Sequence, residues 1–379
     1  MRVKPVTDDR TSPTAGLITL HRVPNYGSVL QAYATQQLLK RNGFQPTVLD
    51  YWRPDQVPGA RREGIHTRLG GTPLGRAVYR VTQRDYVERS LERFGQFVDA
   101  NLCVSSACTS VDDMSALPGQ DLYVVGSDQV WNRRLNVGGT DPYVLSYLPS
   151  SAPKIALSAS IGRSRFTSED TDYFRKHLRS FRWISVRESS AQQLLKSINI
   201  TSTVVPDPTL LTQRSTWDDL AEPLDVDGPY LLIYCLHGSK AVRRLADRLA
   251  SDLGLTVVNL VSYWRSPLKH PGDLRLPTVP QFLGAVRGAS HVITDSFHGT
   301  CFSMNFGVPV SVVTEPPHGV RLVDFLELVG CGDRLHGSAN YSPQVSEAYL
   351  SAMGDRVAEL RSEGLQTLDE ALSSGQAGN

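Results

Sequence analysis

LYVVGSDQVWN, residues 122–132, opens with a run that is apolar on both faces and closes on a dense set of polar side chains. A half-exposed strand alternates in polarity, whereas a continuous apolar run belongs to a strand covered on both sides, the signature of a parallel sheet. YLLIYCL at 230–236 repeats the pattern. Working outward, short apolar runs predict strands at 16–21, 47–51, 122–127, 154–160, 183–188, 203–205, 230–236, 256–261, 291–296 and 308–314. Amphipathic stretches between them predict helices at 27–42, 78–100, 167–180, 189–198, 240–253, 279–288, 299–306 and 321–329. Alternation of strand and helix sustained this far predicts an α/β chain with parallel sheets. One open sheet rarely holds so many strands. Two doubly wound domains facing each other across a cleft are therefore expected, at 1–170 and 171–340. The helical segment 341–379 is expected to pack back on the first.

Composition narrows the class. The chain has 379 residues, of which 40% are hydrophobic and 20% charged, which excludes a disordered tail or a coiled coil. No apolar run approaches the ~18–20 residues of a membrane helix, and MRVKPVTDDRTSPTAG (1–16) lacks the apolar core of a secretory signal. Five cysteines, an odd number without metal-site pairing, fit free thiols in a reducing cytoplasm. The nine histidines show no metal-ligand spacing, so no metal is expected. A net charge of +1, with no basic stripe carrying stacking aromatics, argues against nucleic acid. The locally basic piece between Arg53 and Arg93, around VPGARREGIHTRLGGTP, reads as a solvated loop or as a flap over an anionic or lipid-linked substrate.

In open parallel sheets, ligands sit beyond the carboxyl ends of the strands, near helix N-termini. Four such junctions stand out. After the first strand, Pro24-Asn25-Tyr26-Gly27 opens a helix, with Asn25 as its N-cap and Asn25 and Ser28 as polar contacts for an anion seated on the helix terminus. The junction lacks the three-glycine fingerprint of a dinucleotide site. After 122–127 come Ser127, Asp128, Gln129, Trp131 and Asn132, either a substrate-reading loop with Trp131 stacked on a sugar or a capped turn around a buried Trp. After 183–186 comes Arg187, able to fork onto a phosphate or carboxylate or to pair internally with Asp207 or Glu188. After 291–294 come Asp295, Ser296, His298, Gly299 and Thr300. A histidine on a helix N-terminus beside a cleft suits general acid chemistry, and Asp295 is placed to orient the imidazole or to cap the helix. Cys301 reads as a small packed residue.

Taken together, these segments resemble the polysaccharide pyruvyl transferase family. The resemblance is carried, in order, by NYGSVLQAYATQQLL with VLDYWRP, VVGSDQVWN, KIALSASIG, ISVRESS, VVPDPTLL and FLGAVRGASHVITDSFHGTCFSMNFGVPV, spanning about residues 16–330. It implies a GT-B-like fold of two Rossmann-like domains, the first on the acceptor side and the second on the donor side. It also implies a reaction. Phosphoenolpyruvate, a substrate rather than a cofactor, gives its pyruvyl unit to two hydroxyls of a sugar-containing acceptor, yielding a cyclic ketal and phosphate. On this resemblance His298 matches the motif histidine and general acid, Arg187 the arginine holding the donor anion, and Arg321 a further arginine near the cleft. Many members carry Arg where this chain has Ser296, and an acidic residue where it has Ser28. The missing contact falls to Arg22, Arg163 or Arg321. Two other function classes fit the same architecture: a nucleotide-sugar-dependent glycosyltransferase, and a non-catalytic glycan- or anion-binding member. A carboxylate or backbone site for a ribose would mark the first of these, and the sequence offers no convincing one. Acceptor identity and oligomeric state leave no mark in the sequence.

Overall fold

The computed structural model describes residues 12–54, 56–57, 84–136, 139–236, 240–261, 272–314 and 319–373. Most of the basic stretch between Arg53 and Arg93, and the first residues of the helix expected at 78–100, lie outside the described residues. The first half runs β1 (Thr14–Ile18), α1 (Tyr26–Arg41), β2 (Gln45–Val48), α2 (Arg84–Asn101), α3 (Val111–Ser115), β3 (Leu122–Val125), β4 (Lys154–Ala159), α4 (Ser168–Leu178), β5 (Trp183–Val186), α5 (Ser189–Ser197) and β6 (Thr203–Val204). The second runs α6 (Pro208–Leu211), α7 (Arg214–Leu220), β7 (Tyr230–Tyr234), α8 (Lys240–Leu253), β8 (Thr256–Val261), β9 (Asp273–Arg275), α9 (Val279–Arg287), β10 (His291–Thr294), α10 (Phe297–Phe306), β11 (Val310–Val312), α11 (Val320–Leu328) and α12 (Glu347–Ser373).

All strand pairs within the two sheets are parallel. The first sheet has the order β2-β1-β3-β4-β5-β6 and the second β11-β10-β7-β8-β9. Two parallel, doubly wound, Rossmann-like units make the chain GT-B-like. Each order reverses once, between β1 and β3 in the first sheet and between β7 and β10 in the second. At a reversal the crossover helices leave to opposite faces and open a crevice beyond the strand ends, so each sheet has one natural ligand position.

Two expectations are corrected here. The expected boundary at 170/171 cuts through the first sheet: Trp183 of β5 pairs with Ile155 of β4, and Thr203 of β6 with Ser185 of β5. The sheets divide after Val204, and α4 is a crossover within the first. Alternation of strand and helix carries no label for the sheet a strand joins. The last helix also differs from expectation. Gly364 of α12 faces Leu211, Pro206 and Val205, and Arg361 donates to Leu210 O and Asn305 Oδ1. α12 thus spans the joint between halves, touching the first sheet's helices through the Arg41–Asp369 ion pair.

A single hydrophobic cluster runs through both halves. Tyr26, at the start of α1, is fully buried; its ring stacks on Phe282 of α9 at 4.4 Å, and its hydroxyl donates to Pro277 O at 2.8 Å. Tyr86 of α2 donates to Val261 O, and Arg93 to Leu276 O. The two crevices are thereby held against each other. Among the described residues no helix is long and apolar enough to cross a membrane.

Candidate active site

A cavity of about 170 Å³ lies where the two switch points meet. Asn25 and Ser28 reach it from the loop and helix after β1, Asp128 and Gln129 from the turn after β3, Leu236 from the end of β7, and Asp295, Ser296 and His298 from the end of β10. Arg321, in the first turn of α11, completes the wall.

α1 begins as the sequence predicts. Asn25 Oδ1 accepts from the backbone N–H of Gly27 at 2.9 Å and of Ser28 at 3.3 Å. Those donors are occupied by the cap, so this terminus is not an open anion seat. α10 is capped the same way, Ser296 Oγ accepting from Gly299 N at 3.2 Å. Gly27 lies directly against the imidazole: a methyl group added there would fall 1.9 Å from His298 Nδ1. No side chain larger than hydrogen fits between the first helix of one half and the histidine of the other.

Beneath the cavity lies a buried charge network. The Arg187 side chain is 0% exposed and pairs with Asp207 at 2.8 Å, Asp128 at 3.4 Å and Glu188 at 3.4 Å. Its guanidinium also lies 4.1 Å over the Phe297 ring. Asp207 is the hub. Its Oδ2 accepts from Ser127 Oγ at 2.6 Å and Arg187 Nη1 at 2.8 Å, and lies 3.5 Å from His298 Nε2. Its Oδ1 caps α6 through the amide and hydroxyl of Thr209. Burial pushes the Asp207 carboxyl up, but the charges and hydrogen bonds of His298 and Arg187 and the Ser127 hydroxyl outweigh it and hold it well below the usual range. Asp128 balances the same way: burial raises it, while Arg187, His298, the Ser28 hydroxyl and Arg321 bring it down. Both are carboxylates near neutral pH.

Arg321 differs from Arg187. Among the described residues no hydrogen bond or ion pair holds its guanidinium, which borders the cavity half-buried. Burial first, and then the like charge of Arg187, pull it below the usual arginine range, with Glu188 and Asp128 opposing. A guanidinium held so, facing a cavity, is suited to receiving an anion.

The structure sorts the expected residues. His298, Asp295, Arg321, Asn25, Ser28, Asp128, Gln129 and Ser296 line one cavity. Arg187, Ser127, Trp131, Asn132, Gly299 and Thr300 stand behind its walls. Trp131 is fully buried, its Nε1 donating to Tyr143 O at 2.9 Å, so it packs the core instead of stacking on a sugar. Asn132 donates to Gln129 Oε1, and Thr300 returns its hydroxyl to Ser296 O. Arg187 makes the internal pair that was its rival reading. Asp295 accepts from the amide of Leu236, and the carboxylate facing the imidazole is Asp207. Arg22 and Arg163 are tied to Asp50 and Asp170 at 2.7 and 2.6 Å, so of these three candidate arginines it is Arg321 that borders the cavity. Cys301 is fully buried, as expected. Arg53 and Phe297 also line the cavity and were not anticipated. Asp207 had a signal, an acid followed by proline at a helix start, which reads equally well as a plain cap.

A family model for polysaccharide pyruvyl transferase matches residues 25–315, a span that takes in both crevices and every cavity residue named above except Arg321. The chain belongs to the polysaccharide pyruvyl transferase family. No curated protein matches the sequence of this family member. Solved structures similar to it include the glycotransferase of kitacinnamycin, at 10% identity over 96% of this chain and 99% of that one, with a TM-score of 0.47. UGT89C1 of Arabidopsis thaliana, complexed with UDP-L-rhamnose, is 12% identical over 97% and 100%, with a TM-score of 0.47. The glycosyltransferase SnogD of Streptomyces nogalater is 14% identical over 96% and 100%, with a TM-score of 0.46.

Proposed function

We propose that this transferase moves the pyruvyl group of phosphoenolpyruvate onto two hydroxyls of a sugar-containing acceptor, closing a cyclic ketal and releasing phosphate. One observation carries the reading: His298 and Arg321, unpaired among the described residues, share a cavity of about 170 Å³. That space is below the ~300–1,000 Å³ of drug-sized ligand sites and suits a three-carbon phosphate. Arg321 forks onto the phosphate or carboxylate of the donor, next to the hydroxyl of Ser296. His298 delivers a proton to the methylene carbon, leaving an oxocarbenium-like centre that an acceptor hydroxyl attacks. The donor thus lies against the second half and the acceptor against Asn25, Ser28, Asp128 and Gln129 of the first. Phosphoenolpyruvate enters as a substrate, and the scheme calls on no further cofactor.

The test is incubation with phosphoenolpyruvate and a panel of glycans, glycolipids and nucleotide-linked sugars, read by mass spectrometry for a pyruvyl ketal alongside released phosphate. Folded His298→Ala is expected to lose turnover while still being stabilised by phosphoenolpyruvate in a thermal-shift assay. Stabilisation by a nucleotide sugar with none by phosphoenolpyruvate overturns the reading in favour of a glycosyltransferase.

A further inference from the structure

Acid chemistry at His298 leaves a second task unassigned: the attacking hydroxyl must lose its proton. Resting on the pyruvyl-transfer reading above, we infer that Asp128 is the catalytic base that takes it.

Three observations converge on Asp128. First, it stands at the switch point of the first sheet, one residue past Ser127 and lining the cavity. His298 reaches the same cavity from the switch point of the second sheet. Acid and base thereby come from opposite sheets.

Second, its backbone is strained. Asp128 has φ 73°, in the left-handed region that is costly for a residue with a Cβ. The conformation is fixed on both sides, Val130 N and Ser160 N donating to Asp128 O at 2.8 and 2.9 Å. A glycine would hold this turn without strain, yet the position carries a carboxylate, and the turn directs it into the cavity.

Third, among the described residues the carboxylate is oriented but not saturated. Oδ1 accepts from Gln129 N at 2.8 Å and faces Arg187 Nη2 at 3.4 Å, while Oδ2 accepts, among those residues, the Ser28 hydroxyl alone, at 2.6 Å. A carboxylate oxygen has two lone-pair positions, so Oδ2 keeps one for a hydroxyl entering the cavity. The neighbouring charges keep Asp128 ionised and ready to accept. The other carboxylate on the wall, Asp295, is engaged by the Leu236 amide on the same side as His298.

The protons balance. His298 gives one to the methylene carbon, which becomes the methyl group. The first acceptor oxygen bonds to C2 and passes its proton to Asp128. The C2–O–phosphate bond breaks, and the departing phosphate takes that proton from Asp128. The second acceptor hydroxyl then bonds to C2, and its proton restores His298. Both side chains end as they began, and no electrons change hands.

The experiment compares wild type, Asp128→Asn and Ser28→Ala in the ketal assay with phosphoenolpyruvate. Asparagine tolerates the left-handed region, so Asp128→Asn keeps the turn while removing the base. Its kcat is expected to fall by at least ~100-fold, with the KM for phosphoenolpyruvate unchanged or lowered, because a negative charge leaves the donor's surroundings. Ser28→Ala, which only loosens the carboxylate, is expected to lose ~10-fold in kcat at unchanged KM. It decides the matter if Asp128→Asn does not fold. Near wild-type kcat in either folded variant, or a loss confined to donor KM, overturns the assignment. A wild-type chain that forms no ketal instead overturns the underlying reaction, and the two failures are told apart by which protein fails.

Discussion

Replacing Gly27 with alanine tests the contact that joins the halves at the site. The new methyl lands 1.9 Å from His298 Nδ1 and 2.7 Å from its Cβ, where ordinary contact begins at 3.4 Å. The imidazole must therefore move by about 1.5 Å, or α1 must back away by as much. Misplacement of a catalytic group by ~1 Å costs on the order of 10²-fold in rate, so kcat should fall by roughly that factor. Stability should change far less, since overpacking costs ~1–3 kcal/mol and the helix propensity of alanine returns up to ~1 kcal/mol. The assay pairs ketal formation from phosphoenolpyruvate with thermal unfolding of the same preparation. A Gly27→Ala protein that turns over like wild type would show that the imidazole does not work from the position described, and the mechanism built on it would fall. Loss of turnover with a collapse in melting temperature would equally refute it, since the contact would then be a folding requirement.

Four further outcomes are expected. Asp207→Asn leaves Arg187 buried without its nearest carboxylate; removing one partner of such a pair costs ~3–5 kcal/mol, which urea unfolding measures, whereas Arg321→Gln should leave unfolding unchanged and weaken phosphoenolpyruvate binding ~10–100-fold by calorimetry. Gly354→Ala, in the middle of α12 with nothing within 4 Å of the new methyl, should stabilise the chain by ~0.5–1 kcal/mol and leave turnover alone. Burial, and after it Arg334, pushes His291 down to about 4, so the folded chain keeps it neutral where the unfolded chain protonates it. Its contribution is complete above pH ~6.5 and drains away as pH falls toward 4, on the order of 3 kcal/mol in all; His291→Gln should flatten that stretch of the stability–pH curve, and parallel curves would refute the assignment.

How far the sequence could be read follows from what each residue must satisfy. The strands at 122–125 and 230–234 were legible because both faces had to be apolar. β9, DLR, was not, being three half-buried residues with two charges at an edge. The boundary between halves was misplaced because β5 and β6 carry the same local pattern whichever sheet they join. At the site, the legible residues were those whose polar groups follow a strand directly. Trp131 and Arg187 also follow strands, yet both turned inward, the indole N–H finding Tyr143 O and the guanidinium finding carboxylates. Direction of a side chain at a strand end is set by the neighbouring strand, which the local sequence does not contain. Asp207 and His298 lie 91 positions apart and meet only after both sheets close.

The first turn of α1 carries two consecutive residues with opposite duties: Tyr26 is wedged among the aromatic rings of the far half, and Gly27 backs the imidazole. A clamshell that swings wide would have to draw that wedge out of the core and lift the wall off its histidine in the same stroke. Acceptor traffic is then expected to pass by small sliding movements around a fixed pivot at residue 26. If His298 is the acid as proposed, any pose in which the halves part far enough to free the pivot also strips the imidazole of its backing, and an opened molecule is expected to be idle.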